Sequence, residues 1–229
     1  MSDAAERDYR YERKFLVENM NHQQAIGLIL RHPYLFYQPY PPRYINNFYL
    51  DTPEMDNYFD NVCGAPDRRK VRLRWYGELF GPIKKSTLEF KIKRGLVGTK
   101  RLYPFSGFTL QPGFASGELR RLGRESDLPD EIKTVLLTQQ IVLLNRYYRY
   151  YFATHDNRFR LTVDTDLNYY RVDRHCNQFV HRQTDQHSTI VELKYGKPED
   201  LEAQRVSGYF PFRVTKSSKY VVGIERVYF

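Results

Sequence analysis

From Lys70 to Trp75 the chain reads Lys-Val-Arg-Leu-Arg-Trp, a strict alternation of charged and apolar side chains. Residues two apart in a strand point to the same face. Arg72 and Arg74 therefore share one face, and Val71, Leu73 and Trp75 share the other. The pattern returns three times: Glu89, Lys91 and Lys93 in TLEFKIK; Arg158, Arg160, Thr162 and Asp164 in RFRLTVD; Glu192 and Lys194 in TIVELKYG. Four strands that are apolar on one side and charged on the other constrain this chain more than anything else in it.

Two architectures satisfy that constraint. One is an antiparallel sheet with its charged face in water, the commoner origin of such alternation. The other is a closed barrel whose charged faces line a lumen around a polyanion. Cations about 7 Å apart repel by about 2 kcal/mol per pair at an effective dielectric near 20. A cation-lined lumen thus needs an anion to neutralise it. Charge agrees with such a partner: 36 Lys+Arg against 27 Asp+Glu give a formal +9, which points to nucleic acid, acidic lipid or phosphate-rich ligands. The 20 Tyr and 15 Phe suit strands and polar-lined cavities alike.

Other features narrow the class. Cys63 and Cys176 stand alone, without metal-type spacing, and read as reduced thiols of a cytoplasmic protein. The start MSDAAERDYR holds no apolar signal segment, and no run reaches the ~18 apolar residues that cross a bilayer. There is no GxxxxGK[ST] phosphate loop and no Ser–His or Cys–His arrangement. His155 has no partner at useful spacing. The expectation is one domain over residues 1–229, with 1–8 a mobile leader.

Coarse elements follow from caps, prolines and alternation. Strands are expected at Arg10–Val17, Ile45–Asp51 and around Arg72, then at about 86–94, 98–105, 142–153, 158–165, 169–173, 177–181 and 188–195. Asn21 caps a helix to about Arg31 that ends before Pro33. Thr52 and Pro53 open a short helix, Pro129 one to about Gln139, and Pro198 one to about Tyr209. Gly81-Pro82 marks a turn, Thr154–Asn157 a hairpin turn, and the glycine-spaced 106–124 reads as irregular.

The ordered series RYERKF, FYLDTPEMDNYFDN, RRKVRLRWYG, LEFKIK, YYRYYF, FRLTVDTDL, VELKYG and TKSSKY resembles the VTC (vacuolar transporter chaperone) domain over about residues 10–225. That family is the polyphosphate polymerase branch of the triphosphate tunnel metalloenzymes. The resemblance implies an α+β fold: an antiparallel closed β-barrel of about eight strands forming a basic tunnel, with flanking helices. It implies binding of ATP and polyphosphate or another phosphate-rich anion, with Mn²⁺ or Mg²⁺, and transfer of the ATP terminal phosphate to a growing chain. Trp75 and the strand aromatics alternate away from the key charges, so no nucleic-acid partner is expected. Without a long apolar run, no direct membrane insertion is expected. The resemblance to the eukaryotic relatives implies a separate membrane protein as neighbour.

Residue by residue, the resemblance places the tunnel lysine of the first strand at Lys14. The broader superfamily begins Glu-x-Glu-x-Lys; here Arg10 stands at the first acidic position and Glu12 remains, a departure away from the hydrolytic relatives. The Arg-x-Arg pair falls on Arg72 and Arg74, the following lysine on Lys91, and a further basic position on Lys100, beside Arg101. Tyr-x-Arg falls on Tyr147 and Arg149, and the arginine before Thr-x-Asp is Arg160. Glu192 is the implied metal ligand, with Lys194 beside it. Lys216 and Lys219, three apart, are expected on one face of a helical turn. Asp164 and Asp166 either hold a second metal or pair with lysines. Competing readings are a non-catalytic polyphosphate or triphosphate sensor, a triphosphatase of the same superfamily, and, from charge and aromatics alone, a nucleic-acid binder.

Overall fold

The computed structural model describes residues 10–17, 19–94, 97–173 and 176–229; the expected leader at 1–8 lies outside them. Strands β1 (Arg10–Val17), β2 (Arg43–Asp51), β3 (Asp67–Tyr76), β4 (Gly81–Ile83), β5 (Ser86–Arg94), β6 (Val97–Phe105) and β7 (Phe108–Leu110) fill the first half. Then come β8 (Gln140–Ala153), β9 (Phe159–Arg171), β10 (Arg182–Asp185), β11 (Thr189–Gly196) and β12 (Arg213–Val214). The helices are α1 (His22–Leu30), α2 (Asp56–Val62), α3 (Ser116–Glu125), α4 (Asp130–Thr138), α5 (Asp200–Gly208) and α6 (Lys219–Tyr228).

The chain divides into two compact units. Unit 1 takes in the described residues of Met1–Arg43, with Tyr147–Leu167 and Asp185–Ser217; unit 2 holds Tyr44–Arg146, Asn168–Thr184 and Ser218–Phe229. Each has its own core. In unit 1, Phe15, Leu161, Val163, Val191 and Leu193 form the apolar strand faces, covered by Ala25 and Ile29 of α1, Ala203 and Val206 of α5, and Phe210 and Phe212. In unit 2, Phe48, Leu50, Val71, Leu73, Trp75, Leu88 and Phe90 meet Leu119 of α3 and Ile132 and Leu136 of α4. The apolar parity expected for β3 is therefore the buried one.

Among the described residues, paired strands run in the order β12-β1-β11-β9-β8-β2-β3-β5-β6, with β10 beside β9, and the series ends at β12 and β6 without joining them. The sheet is open. The expected closed barrel of about eight strands, and the enclosed basic tunnel with it, is overturned. Alternation gives each strand two faces, whereas closure depends on pairing the two outermost strands, which no local period encodes.

Several local expectations change for identifiable reasons. Asn21 caps α1 through a capping box with Gln24, as expected. The second helix starts later than Pro53, because Met55 takes a left-handed conformation at φ 65° and oxygens upstream collect the free amides. Thr52 Oγ1 accepts from Asp56 N at 3.0 Å, and Asp51 accepts from Asn57 N and Tyr58 N at 2.9 Å each. Gly81-Pro82 lies in β4, which pairs with β7. Residues 106–124 hold β7 and most of α3, where a Cβ on Gly123 would stand 2.9 Å from Leu136 Cδ1. β9 continues to Arg171 past Asp166 (φ 48°), so 169–173 is no separate strand, and the strand expected at 177–181 is replaced by β10.

Helix α6 packs tightly in unit 2. A Cβ on Gly223 would meet Leu143 Cδ2 at 2.5 Å and Tyr169 Cδ1 at 2.7 Å, whereas one on Gly117 of α3 meets nothing within 4 Å. Gly223→Ala is expected to cost about 1–3 kcal/mol through overpacking, and Gly117→Ala to be neutral or stabilising by up to about 1 kcal/mol. Urea unfolding midpoints of the two variants check the contrast, and equal midpoints would refute the packing described for α6.

Candidate functional site

In unit 2 the register decides which charges meet. Arg72 lies opposite Glu89, Lys70 opposite Lys91, and Arg68 opposite Lys93; Lys91 in turn lies opposite Lys100. Directly opposed residues of antiparallel strands share a face. One face of β3, β5 and β6 thus carries Arg68, Lys70, Arg72, Arg74, Lys91, Lys93 and Lys100, and its carboxylate is Glu89. The register also separates the two basic neighbours on β6: Lys100 is on this face, while Arg101 lies opposite Phe90 on the other.

Glu89 is the hub of that face. Arg72 Nε donates to its Oε2 at 2.7 Å, Arg74 Nη1 stands 3.4 Å from Oε1, and Lys100 Nζ stands 3.5 Å from Oε1. Burial pushes the Glu89 carboxyl up, but Arg72, Arg74 and Lys100 outweigh it and hold the group down at about 2. Lys100 is drawn below its ordinary value, first by burial and then by Arg72 and Arg74, with Glu89 opposing.

Arg74 is buried and anchored from behind. Its Nε donates to Asn47 Oδ1 at 2.8 Å, Asn47 Nδ2 donates to Asn145 Oδ1 at 3.1 Å, and Asn145 Nδ2 donates to Asn168 O at 3.4 Å. A satisfied buried chain of this kind fixes side-chain geometry. Lys70 Nζ donates to Ser218 Oγ at 2.9 Å, and Ser218 caps α6. Tyr220 of α6 stacks on Tyr49 with centroids 5.0 Å apart and donates from its hydroxyl to Asp51. Lys219, the first residue of α6, is buried. Lys216 stands exposed before the cap in unit 1 and not on a helical turn, because the helix begins only once Ser218 supplies its acceptor.

Unit 1 repeats the alternation with a different charge balance. Lys14 lies opposite Glu192 and Glu12 opposite Lys194; Glu192 lies opposite Thr162 and Lys194 opposite Arg160. Lys14 Nζ stands 3.3 Å from Glu12 Oε1 and 3.5 Å from Glu192 Oε1, and donates to Ser217 O at 3.0 Å. Lys194 Nζ is 3.2 Å from Glu192 Oε2 and Arg149 Nη2 is 3.5 Å from the same atom. Arg149 grips Asp164 with both arms, at 2.5 and 2.6 Å, and lies 5.2 Å from the Tyr147 ring centroid. Burial pulls the Arg149 guanidinium down, yet Asp164, Tyr147 and Glu192 leave it well above its ordinary value. Asp164 therefore pairs with an arginine. Arg160 is exposed at the edge of this set.

The donor set tests the metal expectation. Both Glu192 oxygens face cations, and among the described residues no three His, Cys, Asp or Glu side chains are grouped to hold a metal ion. These residues do not by themselves build a Mn²⁺ or Mg²⁺ centre. Sequence reading listed Glu89 on its strand but missed it as a hub, along with Lys70 and the Asn47–Asn145 link. The parity of Lys70 with Arg72 was available; the pairing of Arg72 with Glu89 required the register.

Stability should record the Glu89 hub. Its carboxyl is lower in the folded than in the unfolded chain, so its stabilisation is complete above about 4.5 and is lost as pH falls toward about 2. Unfolding free energies across that window should fall steeply for the wild type and more shallowly for Glu89→Gln. Parallel curves would show that Glu89 is not the ionised hub.

The VTC domain family model matches residues 9–228. A structure from Vibrio parahaemolyticus, described as a "putative adenylate cyclase", is similar with TM-score 0.52 and 10% identity, covering 93% of this chain and 97% of that one. A protein of Pyrococcus horikoshii OT3 gives TM-score 0.45 and 9% identity, covering 93% and 95%. At 10% identity the first likeness concerns the fold alone. A comparison with curated protein sequences gave no match. Among the described residues no helix is long and apolar enough to cross a membrane.

Proposed function

Because the chain belongs to the VTC domain family, a triphosphate-related function follows, and we propose more narrowly that it is a polyphosphate polymerase. One observation supports this most: Lys70, Lys91 and Lys100 stand abreast on three adjacent strands. Like charges directly opposite one another destabilise a sheet. A bound polyanion turns that repulsion into attraction, so the row is intelligible as a phosphate platform.

Phosphoryl transfer asks a protein chiefly to position its reactants and neutralise their charge. In this reading Arg72 and Arg74 present guanidinium forks to phosphate oxygens, while Lys70, Lys91 and Lys100 act as point charges. Glu89 orients the forks, and the buried asparagine chain holds Arg74 in place. An oxygen of the terminal phosphate of the chain attacks the ATP γ-phosphorus; that P–O bond forms as the bond to the β-phosphate oxygen breaks and ADP leaves. The attacking oxygen is already ionised, so no protein base is needed. Lys14, Arg149, Arg160, Lys194 and Lys216, with Tyr147 beneath Arg149, are proposed as phosphate contacts on unit 1's own face, and Lys219 as a further contact within unit 2. A Mn²⁺ or Mg²⁺ ion would accompany ATP as its counter-ion and would shield the phosphate charge.

A second reading, non-catalytic binding of the same anions, draws support from Glu192 being engaged by three cations. Both are tested by incubating the protein with ATP and Mn²⁺ or Mg²⁺ and reading polyphosphate, ADP and orthophosphate separately. The polymerase makes long polyphosphate with one ADP per phosphate added. Arg72→Ala, at a half-exposed position, should lower turnover about 100-fold, the scale of one lost transition-state donor, with an unchanged circular dichroism spectrum. Orthophosphate as the sole product would overturn the polymerase assignment, and full turnover in Arg72→Ala would overturn the placement of the site on this face. Tight tripolyphosphate binding with neither product would establish the binding protein instead.

A further inference from the structure

Unit 2 contains a second basic concavity that shares no residue with the β3–β5–β6 face. A pocket of about 240 Å³ is lined by Arg171, Val180, His181, Arg182, Gln183, Arg226 and Val227. Arg171 ends β9, Arg182 begins β10, and Arg226 lies in the last turn of α6. None of these basic residues falls in a motif that carries the family resemblance.

We propose that this pocket is a separate site for a small phosphate-type anion, orthophosphate or pyrophosphate in size and charge. Three arginines and a histidine line it and no carboxylate does; Asp173, outside the lining, stands 3.3 Å from Arg171 Nε. Two of the arginines lie against aromatic rings before any ligand arrives. Arg171 lies 5.0 Å from the Tyr228 ring centroid, and the Tyr228 hydroxyl is fixed by the carbonyls of Val142 at 2.8 Å and Val172 at 2.9 Å. Arg226 lies 5.8 Å from the Tyr169 ring centroid. Stacking on a ring restrains a guanidinium while its in-plane N–H groups keep their fork geometry for an oxyanion. The rim is tied by the Arg171 amide, which donates to His181 O at 3.0 Å, and by the pairing of β10 with β9. The volume falls below the roughly 300–1,000 Å³ of pockets for drug-sized ligands, which favours one or two phosphate groups over a nucleotide.

Calorimetric titration of pyrophosphate into the whole protein tests the site, with Arg182→Gln/Arg226→Gln in one arm and Arg72→Ala in the other. Both residues of the double variant are exposed, and an unchanged thermal melt confirms its fold. The wild type should show two classes of site. The double variant should lose one, with affinity there falling at least tenfold, and Arg72→Ala should weaken only the other. A second readout is the His181 ring resonance, which should shift on pyrophosphate addition to the wild type. An unshifted His181, or a double variant with wild-type stoichiometry and affinity, would overturn the pocket assignment. Loss of binding in the Arg72→Ala arm alone would do the same while leaving the polymerase reading intact.

Discussion

The ion pairs of Glu89 are the interaction on which the unit 2 face depends. Seven cations share one side of three adjacent strands, and burying Arg74 among them is tolerable only because a carboxylate stands within ion-pair distance. A buried charge without a partner costs several kcal/mol. Glu89 meets that requirement for Arg72, Arg74 and Lys100 together, yet it neutralises only one charge. In unit 1 the same alternation ends differently: Glu12, Asp164 and Glu192 face Lys14, Arg149, Arg160 and Lys194, so charge is nearly balanced. One sequence period has produced two surfaces of different electrostatic character.

The buried amide chain adds a constraint that charge alone does not supply. Arg74 is held by Asn47, and Asn47 by Asn145, so its position is set by β2 and β8 as well as by its own strand. A guanidinium restrained in this way loses less freedom when it engages a phosphate. The cost lies on the folding side, where every member of the chain must find its partner.

Much of the fold was legible because its cause is local. Strand β1 and its limits, the β3 faces, the Asn21 cap and the Thr154–Asn157 turn follow from period, capping chemistry and turn residues. Closure was misread because parity is a property of one strand, whereas an open or closed sheet is a property of the outermost two. Helix α3 was hidden by Gly117 and Gly123, which lower helix propensity, although Gly123 lets Leu136 of a different helix approach closely. The site divided along the same line. The basic positions were visible from the alternation and the family resemblance. The partners of Arg72 and Arg149, 17 and 15 residues away, emerged only with the register.

The division of the chain has a kinetic consequence. Each unit is assembled from three separated segments, and β8 and β9 each contribute to both. Neither core is a contiguous piece that can close as soon as its first segment has been made. Unit 1 needs residues as late as Ser217, and unit 2 needs α6. Contacts of such long sequence separation make folding slow, and apolar strand faces stay uncovered until these later segments have been made. In vivo, the nascent chain should be a client of holding chaperones, and an early stop should leave no folded fragment behind.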